Sequence, residues 1–326
     1  MKFILCTGDS HTYGQYTDGE PAWVTEAFGY NPKGKGFSKV NPCGKDYVNL
    51  VKDYVTNSTN SKVEYMDISS WGKDIAHFRK IEKPITIEGG CDALLLRIAE
   101  KKEKAAISVY LDGKLYKTKK LCAETTRFGL WSIAFLMIPC TGVKEIKLVP
   151  EGRVYIDSCE RWSGEYAVVN CGVGYCTAER YKNECLPALL EEFPNRIFLA
   201  EVHTINEWVA NITVEAYTKS LTELLGIMKE NSELTMAITV SPILWDEPIE
   251  DTPTQDFYER FVDASYEVIK ELDVSLIDAH KAFAEKIKGV SVEELLGTVY
   301  GDKIHPKQPG YTLYAETIIE KLKGVL

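Results

Sequence analysis

Two short stretches far apart in the sequence carry residue types suited to nucleophilic acyl chemistry. TGDSHTYG (7–14) sets Ser10 directly after Gly8-Asp9, and GDKIHPKQPGY (301–311) places His305 three residues after Asp302. A serine attacks an acyl carbon only when a base takes its proton, a third group orients that base, and donors meet the developing oxyanion. Ser10 is the candidate nucleophile, because Gly8 lets the backbone turn sharply off a strand and Asp9-Ser10 can open a helix with its amides free. His305 is the candidate base and Asp302 its orienter. In a turn held by Pro306, the aspartate can reach Nδ1 and leave Nε2 for the serine. Gly174, in NCGVGYCT (170–177), and Asn206, in EVHTINEW (201–208), are the oxyanion candidates. The first would donate a backbone N–H and the second its side-chain amide. Each residue has a plainer reading too: Asp9, Ser10, Asp302 and Asn206 make good caps, and Gly174 suits an ordinary turn.

Such residues need a scaffold that collects them, and hydrophobic periodicity supplies one. Phe3–Thr7 reads as a strand, Tyr47, Val48, Val51, Tyr54 and Val55 share one face of a helix, and Val63–Met66 reads as a second strand. After Trp162, strands at 167–170, 197–202, 236–240 and 274–277 alternate with helices. Those helices are Lys182–Phe193, one with Tyr217, Leu221, Leu224, Leu225 and Met228 on one face, one through Phe257, Phe261, Tyr266 and Ile269, and a last one with Leu313, Tyr314, Ile318 and Leu322. This alternation implies a mostly parallel sheet covered on both faces, with ligands at the carboxyl ends of its strands. The four segments quoted above fall at such ends.

Between them the pattern changes. From Pro84 to Trp162 short alternating runs dominate, at 93–98, 133–138, 145–149 and 154–156, and Asp112-Gly113 in AAISVYLDGKLYKTKK supplies the positive φ angles of a two-residue hairpin. The expectation is an α/β domain formed by 1–73 and 163–326, interrupted by a β-sandwich domain at 74–162.

Composition narrows the partners. Lys+Arg 38 against Asp+Glu 48 gives a formal charge of −10 over 326 residues, without long runs of one sign. That argues against nucleic acid or an anionic membrane surface and favours a neutral or cationic small molecule. The apolar run Phe3–Cys6 is too short for a secretory signal, and no stretch approaches the ~20 apolar residues of a membrane span. Nine scattered cysteines read as reduced thiols, which makes the expected location cytoplasmic and the sequons at Asn57 and Asn211 idle.

Taken in order, Gly8-Asp9-Ser10 on the first strand, a glycine turn after a later strand, an asparagine after the next, and Asp302-x-x-His305 before the final helix resemble the GDSL (SGNH) hydrolase family. The resemblance covers roughly 1–70 and 163–326 and implies a flavodoxin-like three-layer α/β/α fold. It also implies that serine, glycine amide, asparagine side chain and histidine act as assigned above. His11 stands where the family usually has leucine. The glycine turn, Gly172-Val173-Gly174-Tyr175-Cys176-Thr177, is one residue shorter than in many members, so either Gly174 or Tyr175 supplies the amide. Ile205-Asn206-Glu207 replaces the usual Gly-Asn-Asp. The inserted block resembles the jelly-roll or sandwich modules that accompany carbohydrate esterases. Trp71, Trp131 and Trp162 could stack on a sugar ring, although tryptophans in β-rich domains more often serve the core.

Other constellations carry less. Cys171, Cys176 and Cys185 lack the paired spacing of a zinc site, and no Gly-rich phosphate loop appears, so neither a metal nor another cofactor is expected. Asp278-Ala279-His280 imitates part of a triad at another strand end, and His203 is either a pocket or a packing residue. The reading is a serine esterase acting on a small acyl ester, with a carbohydrate O-acetyl ester foremost. The same residues would serve an O-acyltransferase, and the altered asparagine segment and extra module would suit a non-catalytic glycan-binding protein. An inserted module can also form a dimer contact, so a homo-oligomer is among the expectations.

Overall fold

The computed structural model describes residues 1–13, 46–75, 78–100, 104–121, 132–174, 176–242, 255–290, 295 and 305–326. Asp302, Tyr175 and Trp131 lie outside the described residues. The chain divides into two compact units: the described residues of one are Met1 and those within 60–167, and those of the other fall within 2–13, 46–59 and 168–326. No helix among the described residues is long and apolar enough to cross a membrane.

Strand β1 (Lys2–Gly8), the single-turn helix α1 (Ser10–Tyr13) and helix α2 (Tyr47–Ser58) precede the all-β unit. That unit comprises β2 (Lys62–Tyr65), β3 (Lys73–Ile75), β4 (Phe78–Ile81), β5 (Ile85–Glu88), β6 (Ala93–Glu100), β7 (Ala105–Leu111), β8 (Lys114–Leu121), β9 (Ser132–Pro139), β10 (Glu145–Glu151) and β11 (Val154–Ser163). They form two antiparallel sheets, β5-β10-β7-β8 and β3-β4-β11-β6-β9, with β2 added against β11. Alternation sends Ile107, Val109, Ile146 and Leu148 of the first sheet and Leu94, Leu96, Leu136, Ile138 and Ile156 of the second into one shared core. The hairpin forms at Asp112-Gly113, with φ of 46° and 78°. The Asp112 carboxylate then accepts the N–H groups of Lys144 and Glu145 at 3.0 and 2.9 Å, tying the turn to β10. Trp162 is core, fully buried with Nε1 donating to Glu160 at 2.8 Å, and Trp71 packs half-buried against the same cluster.

One strand changes allegiance. The run Val63–Met66, expected beside the parallel sheet, becomes β2 and pairs antiparallel with β11. Four alternating residues specify a strand but carry nothing about its partner.

The other unit is a layered α/β/α core. Its sheet runs in the order β12 (Tyr166–Gly172), β1, β13 (Arg196–Glu201), β14 (Leu234–Ile238), β15 (Ser275–Ile277), and the β1–β13, β13–β14 and β14–β15 pairs are parallel. The chain's helices continue with α3 (Ala178–Arg180), α4 (Leu186–Glu192), α5 (Thr204–Val209), α6 (Val214–Glu230), α7 (Gln255–Glu271), α8 (Ala279–Lys286) and α9 (Gln308–Leu322). The apolar face expected of α6 is buried in full, from Tyr217 to Met228, while Tyr311, Tyr314, Ile318 and Leu322 bury the face of α9. Leu313, expected on that face, is only half-buried.

Asp46 caps α2 by accepting the Asn49 N–H at 2.9 Å and the Asn49 side-chain amide at 2.7 Å. Its burial raises its pKa to about 6, against the bonds from Asn49 and the charge of Lys52. The folded state therefore keeps a proton that the unfolded chain releases near pH 4, and stability from this group falls as pH rises through that window. Asp46→Asn should flatten this dependence. Between pH 4 and 7 the variant should gain on the parent by about 2–3 kcal/mol in urea unfolding. Parallel curves for the two proteins would contradict a protonated Asp46.

Candidate active site

The site is built on β1, an inner strand whose residues Phe3 to Gly8 are all buried. Beyond it the chain must reverse at once into α1, and glycine at position 8 allows this. A Cβ there would collide with the side chains of Thr12 and Glu201. Ser10 opens α1 with only 6% of its surface exposed. His305, just before α9, brings Nε2 to 2.8 Å from Ser10 Oγ, so residues 295 positions apart share one hydrogen bond. This is the geometry a base needs to take the hydroxyl proton.

The remaining candidates fall as follows. Asn206 does not cap α5 but lies within it, and its Nδ2 donates to Asp9 Oδ2 at 2.7 Å. Asp9 also accepts the His11 backbone N–H at 3.0 Å, so its carboxylate closes the Ser10 turn and holds the asparagine beside it. Gly174 follows β12, whose turn is set by the Val173 N–H donating to the Gly8 carbonyl at 3.0 Å.

Beneath the serine lies a polar network that sequence reading missed. Glu201, the last residue of β13, is fully buried, and its Oε1 lies 3.1 Å from His11 Nδ1. Its other oxygen accepts the Thr12 N–H at 3.0 Å and also the Thr12 hydroxyl, which meets Tyr47 Oη at 2.5 Å. The His11 ring stands edge-on to that of His305, with centroids 5.4 Å apart. Asn170 braces the same turn, donating to the Thr12 carbonyl at 3.0 Å. The one clue in the sequence was a glutamate following the apolar run Ile197–Ala200, inside the strand expected at 197–202 and quoted in EVHTINEW without a role.

Burial sets the electrostatics. Asp9 rises to about 6, chiefly by desolvation and then by repulsion from Glu201, with His11 and His203 opposing. Burial also works against ionised Glu201, yet the bond and charge of His11, with the bond from Thr12, outweigh it and hold the carboxyl below the ordinary range. Glu207, buried and accepting the Ala178 N–H, is pushed well above it by desolvation. Asp9, His11 and Glu201 also bring three ligand-type atoms within 4.8 Å of one another, the set among the described residues whose chemistry could hold a cation.

The other sequence candidates take structural work. Asp278 caps α8 through the Lys281 N–H at 3.0 Å and accepts from Tyr266 at 2.7 Å, while His280 Nδ1 lies 3.0 Å from the Val240 carbonyl. His203 is buried, with Nδ1 2.9 Å from the Cys176 carbonyl. Cys171 and Cys176 are buried thiols, and Cys185 is partly exposed.

No protein-family model and no curated protein matches this sequence. Among solved structures, one described as a peptidoglycan O-acetylesterase superposes over 99% of this chain and 91% of its own, with a TM-score of 0.51 and 11% identity. A member of the lipolytic G-D-S-L family from Veillonella parvula covers 98% of this chain and 97% of its own, at a TM-score of 0.47 and 11% identity. The likeness to the first establishes the fold, an α/β/α core with added antiparallel sheets. Within that fold Ser10 and His305 meet as a hydroxyl and an imidazole in hydrogen-bond contact, the arrangement of a nucleophile and its base.

Proposed function

We propose that this chain is a serine esterase that removes small acyl groups, acetyl foremost, from carbohydrate hydroxyls. The observation that carries the reading is the 2.8 Å contact between Ser10 Oγ and His305 Nε2 at the carboxyl end of β1. Ser10 Oγ attacks the acyl carbon as its proton passes to Nε2. The tetrahedral intermediate then collapses, and the sugar alkoxide leaves with that proton. Water, deprotonated by the same imidazole, attacks the acyl-serine and releases the acid. Asp302 is assigned to orient His305. The Ser10 and Gly174 amides, or that of Tyr175, and the Asn206 side chain are assigned to the oxyanion. Donors at fixed positions are suited to this, because they need no reorganisation as charge develops. The carbohydrate preference draws on the described activity of the esterase that shares this fold.

A fluorophosphonate probe followed by acetate release from acetylated oligosaccharides tests the reading. Covalent labelling at Ser10 and preference for acetyl over longer acyl chains support it. A folded protein that neither labels nor releases acetate rules it out in favour of a glycan-binding role, and acetyl transfer to an added sugar would make it a transferase. Asn206→Ala should lower kcat by roughly 10²–10³-fold with little change in KM, the cost of one oxyanion donor. A kcat within fivefold of the parent would remove Asn206 from the oxyanion site and leave it as a brace for Asp9.

A further inference from the structure

A close pair of thiols lies within the all-β unit, outside the site described above. Cys91, in the link from β5 to β6, and Cys140, just after β9, bring their sulfurs to 3.3 Å. The surrounding backbone fixes this approach. The Cys140 N–H donates to the Asp92 carbonyl at 2.9 Å, and the Asp92 N–H to that of Trp162 at 2.8 Å. The Asp92 carboxylate accepts the Thr141 hydroxyl at 2.9 Å and the Gly164 N–H at 2.8 Å, so one side chain pins three segments around the sulfurs. Gly89 packs so closely on the Val143 carbonyl that a side chain there has no room. The Arg161 guanidinium donates to the Gly89 carbonyl at 2.5 Å and pairs with Glu64 at 3.4 Å.

Cys91 has the environment of an activated thiol. Its pKa falls to about 6, through the Cys140 thiol first and then the bond and charge of Arg161, against burial and the Asp92 carboxylate. Cys91 keeps 6% of its surface exposed and Cys140 none. A low-affinity proton, a cation beside the sulfur and a second thiol in contact are what peroxide-reactive cysteines share.

We propose that Cys91 and Cys140 are a peroxide-reactive pair that closes reversibly to a cystine. The Cys91 thiolate attacks one oxygen of hydrogen peroxide, the O–O bond breaks, and Cys91 becomes a sulfenic acid as hydroxide leaves. Cys140 then attacks the oxidised sulfur, its proton goes to the departing oxygen, and water is released as the S–S bond forms. Two electrons pass from the two thiols to the peroxide, and a dithiol reductant reverses the change by exchange. The bond would join positions that the ladder already holds in place, so closure asks little of the backbone.

Graded hydrogen peroxide on the full chain, alkylation with iodoacetamide and peptide mass mapping tests this. The expected result is a peptide linked through Cys91 and Cys140, lighter by two hydrogens, restored by dithiothreitol and formed at a lower dose than any change at the partly exposed Cys185. In Cys140→Ser, Cys91 should instead be trapped as its sulfenic acid by dimedone. Full alkylation of both thiols at a dose that oxidises Cys185, or Cys91 joined to a different cysteine, overturns the proposal. The wild-type map decides the matter even where the variant folds poorly, and it is independent of ester hydrolysis.

Discussion

Replacing Ser10 by alanine will lower ester hydrolysis by roughly 10⁴–10⁶-fold while the protein unfolds within about 1 kcal/mol of the parent. The hydroxyl is small, and the proposed reaction gives its bond with His305 a catalytic role more than a packing one. His305→Ala should cost a similar factor, and the double variant scarcely more than either single one, because serine and imidazole act as one unit. Steady-state kinetics on p-nitrophenyl acetate, with circular dichroism to confirm folding, measure all three. Retention of more than a hundredth of the activity in Ser10→Ala, or losses that multiply in the double variant, would show that the two residues do not act together.

The second large effect is on stability. Glu201→Ala removes the acceptor of two Thr12 donors and the partner of His11 from a buried site. Stripping one member from a buried charge pair costs about 3–5 kcal/mol, so urea unfolding should show a loss of that size. Glu201→Gln keeps the volume and one carbonyl for Thr12, and should cost roughly 1–3 kcal/mol, the range of a single unsatisfied buried group. The order Ala worse than Gln matters more than either figure. A Glu201→Ala protein within about 1 kcal/mol of the parent would mean that the pair contributes little and that His11 finds another acceptor.

What the sequence revealed, and what it hid, follows from the range of the interactions. The Asp112-Gly113 hairpin was legible because both residues supply positive φ locally. Ser10 and His305 were legible because a Gly-Asp-Ser turn and an Asp-x-x-His turn are each short. Each motif alone also fits a cap or a turn, and it was the ordered resemblance to the GDSL (SGNH) family, with the rule that parallel strands gather ligands at their carboxyl ends, that implied their meeting. Glu201 was not legible, since its partner Thr12 lies 189 residues earlier and only contact explains why a carboxylate survives in the core. The cysteines divide along the same line. Of those clustered in sequence, Cys171 and Cys176 are buried free thiols, as read, and Cys185 is partly exposed, whereas the contact between Cys91 and Cys140 joins positions 49 residues apart and had no local sign.

The 295-residue span between the serine and its imidazole has a consequence during synthesis. A ribosome adding about 5–20 residues per second needs roughly 15–60 s to make the base after it has made the nucleophile. Throughout that interval the nascent polypeptide carries a serine without the imidazole that the proposed reaction needs. In refolding experiments the return of turnover would therefore clock one of the longest loop closures in the molecule, later than any signal from helix or hairpin formation.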